Sequence, residues 1–463
     1  MQFFCAAANV EYPSSNPNSG IRFEATLMRI AMNRRQFLAS AAVLGSLPRQ
    51  LIAQTSMYRL RAEEVTSQVL PAGDGTTRML GFNGTMPGPE LRIRRGERVA
   101  IDVENRLKEG TAVHWHGIRL ENSMDGVPVL TQKVIDPGDT KTYSFVPPDA
   151  GTFWYHSHHI SHEQVARGMM GPLIVEEDEP IDVDHDITAL LSDWRMERDG
   201  TLIEEYADRH SVAHAGYLGT FARAFFSRSE VSVGDRIRLR LINAATNRIF
   251  PLALSGAAGR IVALDGIALS QPRPIDQLMM APAQRVDLIL DVSGPIKLDM
   301  MSRQGPYELG ALGTAGTNDT RQPAPIAALP AHAIAAAADP GQHLTLRMMG
   351  GAMGGRHGGD NIWAFNDVSD LQAAPFSSFK TGETAKITLV NDTSFPHGIH
   401  LHGHHFYELD EEGNTGDLRD TTLVFPNQSR DILCTFDNPG KWMLHCHMLS
   451  HAVGGMRTWV DVV

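Results

Sequence analysis

Four His-x-His pairs stand in matching register in this chain: His114-Trp115-His116, His156-Ser157-His158, His400-Leu401-His402 and His445-Cys446-His447. On an extended strand, residues two apart project from the same face, so each pair offers two imidazoles side by side. A lone histidine is ordinarily a core or surface residue; four such pairs make a ligand set. Eight neutral imidazoles exceed what one tetrahedral ion can use, so they suit a cluster, and imidazole favours copper. Cys446 lies between two of these histidines, and strand alternation aims its sulfur at the opposite face. His451 follows five residues later, Met456 five after that, and His397 stands upstream. Two imidazoles, a thiolate and a weak thioether are the donor set of a blue-copper electron-transfer centre. Taken alone, Cys446 would read as a buried apolar cysteine. Taken with its neighbours, its backbone joins the two metal sites covalently.

The elements that must position these residues form a hidden repeat. Gly96 leads to Asn105, Gly234 to Asn243 and Gly382 to Asn391, each at an offset of nine. Between them run alternating apolar residues (Val99, Ile101, Val103; Ile237, Leu239, Leu241; Ile387, Leu389), which predict a strand with one buried face. At offsets of 18 and 20 from the glycine stand His114 and His116, Leu252 and Leu254, and His400 and His402. A second block leads from Gly151 to His156 and His158, from Gly440 to His445 and His447, and from Gly294 to Asp299 and Met301. The chain is therefore three copies of one all-β unit, the middle copy lacking the histidines. Turns such as Asp136-Pro137-Gly138-Asp139 punctuate the copies, and a Greek-key sandwich or barrel is the expected architecture. Glu179-Pro180 and the Ala/Pro-rich stretch 321–339 mark boundaries, giving 54–180, 181–340 and 341–463 behind an upstream segment of 1–53.

At this point the sequence resembles the multicopper oxidase family, specifically its bacterial three-domain laccase-like and cuprous-oxidase group. Four motifs carry the likeness: His114-Trp115-His116-Gly117; Trp154 to His158; His397-Gly398-Ile399-His400-Leu401-His402-Gly403; and His445-Cys446-His447 with His451 and Met456. The resemblance implies three consecutive cupredoxin-like domains and four copper ions. By position it assigns His397, Cys446, His451 and axial Met456 to a type 1 copper, and His114 and His400 to a type 2 copper. His116, His156, His158, His402, His445 and His447 fall to a type 3 pair. The cluster would lie between the first and third domains, with the middle one as a copper-free spacer. Asp125 matches the family's acid near the cluster, with an implied role in delivering protons to oxygen. A turn aspartate before Gly126 is the plainer alternative. Ala452 stands where many bacterial relatives carry a second, glutamate, proton carrier, and Gly398 replaces a usual proline.

Composition sets the remaining limits. A net charge of −12 argues against a nucleic-acid partner. Met32-Asn33-Arg34-Arg35-Gln36-Phe37-Leu38 with the apolar stretch to Leu47 is a twin-arginine export pattern, ending near Ala53. Residues 1–31 sit awkwardly upstream of it, as an over-extended start would. Of the three cysteines, Cys5 precedes that pattern, so Cys434 and Cys446 remain and no disulfide framework is expected. No membrane anchor is expected, and the chain reads as an exported, periplasmic monomer. The reductant is less legible. The segment Met348 to Gly359 holds three methionines and a histidine among glycines, which suits cuprous ion or a mobile linker. The family's cuprous site places an acid and a methionine where this chain has Thr393 and Phe395, so a phenolic or similar organic reductant stands ahead of cuprous ion, with copper homeostasis as a physiological use. A metal-free export-dependent scaffold is the alternative from another class, and a copper nitrite reductase does not fit four pairs in one chain.

Overall fold

The computed structural model describes residues 56–463, apart from 323 and 353–361. The export pattern at Arg34-Arg35 and most of the methionine- and glycine-rich segment lie outside the described residues. The repeated Gly-to-Asn run forms the same strand three times, Val99–Asn105, Arg236–Asn243 and Glu383–Asn391. Each copy has a parallel neighbour on one side: Ser56–Ser67, His185–Trp194 and Gln342–Gly350. Each has an antiparallel neighbour on the other: Thr140–Phe145, Arg285–Ser302 and Ser429–Phe436.

The asparagine that ends each run is buried and does the same work every time. Asn105 Nδ2 donates to the Ile135 carbonyl at 2.8 Å, Asn243 Nδ2 to Met280 at 2.9 Å, and Asn391 Nδ2 to Val424 at 3.0 Å. Each Oδ1 accepts the N–H two residues on, from Leu107, Ala245 and Thr393. This local turn satisfies backbone groups that burial would otherwise orphan, and fixes where the chain leaves the strand.

The histidine-bearing strands lie in the second sheet of each outer unit. Val113–His116 pairs antiparallel with Gly151–Ser157, placing His114 opposite His156. His397–Leu401 pairs antiparallel with Gly440–Cys446, placing His400 opposite His445. The two outer units share one continuous apolar cluster that includes Trp115, Tyr155, Trp442 and Leu444, whereas the middle unit has a core of its own. In that core Leu252 and Leu254 pair with Met300 and Leu298 where the outer copies carry imidazoles. The 18-residue strand Arg285–Ser302 pairs first with Arg236–Asn243 and then with Gly305–Thr317, so the middle unit is one nine-stranded sheet folded over itself.

One expectation needs correcting. Alternation in Arg236–Asn243 predicts a single buried face, yet every residue of the strand is buried. Ile237, Leu239 and Leu241 enter the middle core, while Arg238 and Arg240 are buried on the other side. Arg238 forks onto Asp287 at 3.1 and 2.6 Å and reaches Glu177 at 2.5 Å. Arg240 forks onto Asp186 at 2.6 and 2.8 Å and donates to Thr152 Oγ1 at 2.9 Å. Thr152 and Glu177 belong to the first copy, so this face packs against it through charge-assisted hydrogen bonds.

The repeat glycine Gly151 has φ +154°, and a Cβ there would sit 1.9 Å from the Gly266 carbonyl oxygen of the middle copy. Neither backbone can yield cheaply. Gly151→Ala is expected to destabilise the protein by about 1–3 kcal/mol, read as a lower urea midpoint; an unchanged midpoint would show that this close approach is dispensable.

Candidate metal centre

Strand pairing brings the eight paired histidines into one knot between the outer units. His114 and His402 have ring centroids 4.0 Å apart, and His116 stacks on His400 at 3.9 Å. His447 lies 5.0 Å from His116 and 5.3 Å from His156, and His445 lies 5.8 Å from His158. Donor atoms within 4.8 Å of one another define several triads, among them His114, His400 and His402; His114, His116 and His156; and His158, His402 and His445.

Hydrogen bonds to acceptors fix most of the tautomers. A carbonyl can only accept, so a ring nitrogen facing one must carry the proton. His114 Nδ1 donates to Asp125 O at 2.7 Å, His156 Nδ1 to Ser157 O at 2.9 Å, His400 Nδ1 to Asp420 O at 2.9 Å, and His445 Nδ1 to Cys446 O at 2.9 Å. Their Nε2 lone pairs then point into the knot. His116 is reversed: its Nε2 faces Asp420 Oδ1 at 3.3 Å. His114 Nε2, His116 Nδ1, His156 Nε2 and His400 Nε2, with both nitrogens of His447, are buried without a hydrogen-bond partner among the described residues. Such orphans are costly unless something else accepts the lone pair. Their convergence fits metal ions.

Burial first, then neighbouring imidazoles, lowers His156, His158, His402, His445 and His447 well below the usual histidine range. For His116, burial and His400 outweigh the opposing pull of Asp420. These rings are neutral and available as ligands. Asp125 is buried, its carboxylate 3.1 and 3.2 Å from His402 Nδ1 and 3.2 Å from His114 Nδ1. It therefore orients one imidazole from each outer unit. Ala452 is buried and supplies no carboxylate beside His451.

On the opposite face, Cys446 Sγ lies 3.6 Å from His397 Nδ1 and 3.8 Å from His451 Nδ1, and those nitrogens are 3.0 Å apart. The far nitrogens are tied down. His451 Nε2 donates to the His214 carbonyl at 2.7 Å. His397 Nε2 faces Thr393 Oγ1 at 2.8 Å, and that hydroxyl is within donating distance of Asn391 Oδ1 at 2.8 Å, leaving a lone pair for the imidazole. Both Nδ1 lone pairs therefore converge beside the sulfur. Met456 is buried, and its backbone accepts from Cys446 N at 3.1 Å and donates to His451 O at 3.0 Å. Burial pushes the Cys446 thiol up to about 12, so a bound cation is what would make it a thiolate. Cys434 is also free and buried, with its thiol against the His405 carbonyl.

Sequence models of multicopper oxidases match residues 64–180, 183–311 and 343–463. The chain belongs to the multicopper oxidase family. It is a copper-using oxidoreductase with three cupredoxin-like domains. The multicopper oxidase MmcO of Mycobacterium tuberculosis is 29% identical over 425 residues, covering 83% of each chain. Copper resistance protein A of Escherichia coli is 27% identical, covering 82% of this chain and 89% of that protein. The crystal structure of Lac15, from a marine microbial metagenome, aligns with a TM-score of 0.78 and 49% identity over 88% of this chain and all of that one.

Sequence reasoning missed Asp420, Thr393 as a support of His397, Trp363 and His214. The Trp363 ring lies 4.4 Å from His451 and 5.1 Å from His397, and its indole N–H donates to Val212 O at 2.6 Å. Asp420, Trp363 and His214 are single ordinary residues far along the chain from the rings they touch, so spacing carries no signal for them, while Thr393 stands only four residues before His397 and reads as a missing acid. No described helix is long and apolar enough to cross a membrane.

The buried neutral rings give the copper-free protein a pH dependence. Burial holds His451 at about 4, whereas an unfolded histidine titrates near about 6.5. Between those values the unfolded chain binds more protons than the folded one, so stability is fully present above about 6.5 and falls as pH drops towards about 4. Chelator-stripped protein should show a falling urea midpoint over that window, and a flat profile would contradict neutral burial of these rings.

Proposed function

We propose that this multicopper oxidase takes electrons singly from a small phenolic or cuprous reductant at His397, Cys446, His451 and Met456, and reduces oxygen to water at the eight-histidine knot. The carrying observation is the pair of donor sets on either side of Cys446, with unpartnered lone pairs converging in the knot and the Nδ1 atoms of His397 and His451 converging beside the sulfur. In this reading His114 and His400 hold a type 2 ion, and His116, His156, His158, His402, His445 and His447 a type 3 pair, four coppers in all. Copper bound at these sites supplies one-electron exchange beside the thiolate and stores electrons for oxygen reduction at the knot.

The protein's own contribution is connection, protons and access. Cys446 carries electrons through its backbone to His445 and His447, and its carbonyl also accepts the His445 Nδ1–H. The overall balance is O₂ with four electrons and four protons giving two waters. Asp125, already bonded to His402 and His114, is the carboxylate placed to pass protons into that space. His397 and His451 are both fully buried, and the His451 Nε2–H is taken by the His214 carbonyl. A reductant therefore delivers its electron across the His214 segment and not by touching His451. The relatives named for laccase activity and for copper resistance support the two reductant classes equally. In this reading the export pattern directs the chain to the periplasm, where it acts as a monomer and copper tolerance would be one use.

Oxygen uptake measured with a phenol and with cuprous ion, each with and without added copper, tests the reading. Wild-type protein should hold four coppers, be blue and consume oxygen; Cys446→Ser should lose colour and turnover together, and retained uptake would sink it. Met456→Leu should raise the type 1 midpoint potential in a redox titration, because a thioether stabilises the oxidised ion. An unchanged or lower potential would remove Met456 from the ligand set.

A further inference from the structure

The middle domain carries no copper ligand, yet one of its side chains ends at the cluster. Arg285 is fully buried and uses all five guanidinium donors. Its Nε donates to the Thr152 carbonyl of the first domain at 3.0 Å. Nη1 donates to Ala283 O at 3.1 Å and Asp420 Oδ1 at 2.9 Å, and Nη2 donates to Asp265 O at 2.9 Å and Asp420 Oδ2 at 2.6 Å. Asp265 also receives the Arg285 backbone N–H at 2.9 Å and Arg419 Nε at 2.7 Å. The fork thus joins all three domains at one point.

Asp420 occupies that point, itself fully buried. Its carboxylate takes the fork, the Thr421 hydroxyl at 2.8 Å and His116 Nε2 at 3.3 Å, while its main-chain carbonyl takes the His400 Nδ1–H. An ionised carboxylate can only accept, so His116 must present Nε2–H to it, which leaves the lone pair on Nδ1. That is the nitrogen found buried and unpartnered, in contrast to His114, His156 and His400, whose Nε2 is the orphan. Space is equally committed: a Cβ on Gly117, the residue after His116, would sit 2.3 Å from Arg285 Nη2 and 2.6 Å from Asp420 Oδ2.

We propose that Arg285 and Asp420 are positioning residues of the oxygen-reducing cluster, setting the Nδ1-facing tautomer of His116 and the pose of His400, so that the middle domain is a working wall of the site. The proposal rests on the reading of the eight histidines as copper ligands. Asparagine at 420 must turn its NH₂ towards one guanidinium nitrogen, whichever way it faces, and lysine at 285 has three donors where five are used.

The test compares Asp420→Asn and Arg285→Lys with Arg238→Lys, which disturbs an equally buried arginine of the middle domain that touches Asp287 and Glu177 but no cluster histidine. Copper per chain, chelator competition and electron paramagnetic resonance are read on each full-length protein. Asp420→Asn and Arg285→Lys should keep the blue type 1 signal, change the type 2 signal, and weaken copper retention at the cluster about 10- to 100-fold. Arg238→Lys should lose stability with the type 2 signal intact. Wild-type signals and four tightly held coppers in Asp420→Asn would overturn the proposal, as would a type 2 change of equal size in Arg238→Lys. If either cluster variant fails to fold, the other decides by the same readouts. A wild-type protein that holds only one copper would reject the copper reading itself, which separates the two failures.

Discussion

Burying an imidazole with one nitrogen unpartnered costs about 1–3 kcal/mol, the full desolvation of that atom. This protein does so repeatedly in one small volume, at His114, His116, His156, His400 and twice at His447. No packing benefit explains that concentration, since Leu252 and Leu254 fill the middle core at the positions of His114, His116 and His400. Carbonyls and carboxylates on the outer sides of His114, His116, His156, His400, His402 and His445 take those rings' protons, so their lone pairs are committed inward. The rest of the structure follows from supplying those outer acceptors. Backbone carbonyls next to the ligands do it locally, and Asp125 and Asp420 do it across domains.

The same strand geometry explains why two sites of different chemistry lie so close. Cys446 lies between His445 and His447, so alternation alone turns its sulfur away from the knot. The surroundings then differ. The knot is walled by imidazoles and two carboxylates, whereas the sulfur sits in the shared apolar cluster of the outer domains with Trp363 over both of its histidines. An apolar shell of that kind controls solvent access and potential as much as the ligands do.

Much of this was legible in residue order because it depends on period and repetition. The Gly-to-Asn offset marks a strand whose final asparagine closes the same turn in all three copies, and the His-x-His pairs follow from period two. Most of what was not legible depends on residues meeting from distant parts of the chain. Asp420 looks like any charged residue beside Arg419 until Arg285 arrives from the middle domain. Thr393 reads as a missing acid by comparison with relatives, yet its hydroxyl holds His397 in the tautomer that faces Cys446. Phe395 reads as a missing methionine, yet its ring packs 5.8 Å from both Trp363 and His214. The arginines of Arg236–Asn243 read as a solvated face because alternation records which side a residue takes, and cannot record whether another domain covers it.

That covering face also bears on why the domains keep one relative placement. Arg238, Arg240 and Arg285 are buried and cross to Glu177, Thr152 and Asp420 of the neighbouring domains, and buried charge contacts contribute little net stability once desolvation is counted. Their forked geometry tolerates far less sliding than apolar contact does, because each donor has one acceptor at one angle. A knot of eight histidines, four from one domain and four from another, needs that kind of constraint more than it needs adhesion. A shift of about 1 Å between two apolar surfaces costs little, whereas the same shift between the outer domains would pull His116 out of register with Asp420, the aspartate that also holds His400 within its own domain. The middle domain, which carries none of the eight paired histidines, touches both domains that do, through Thr152 and Asp420.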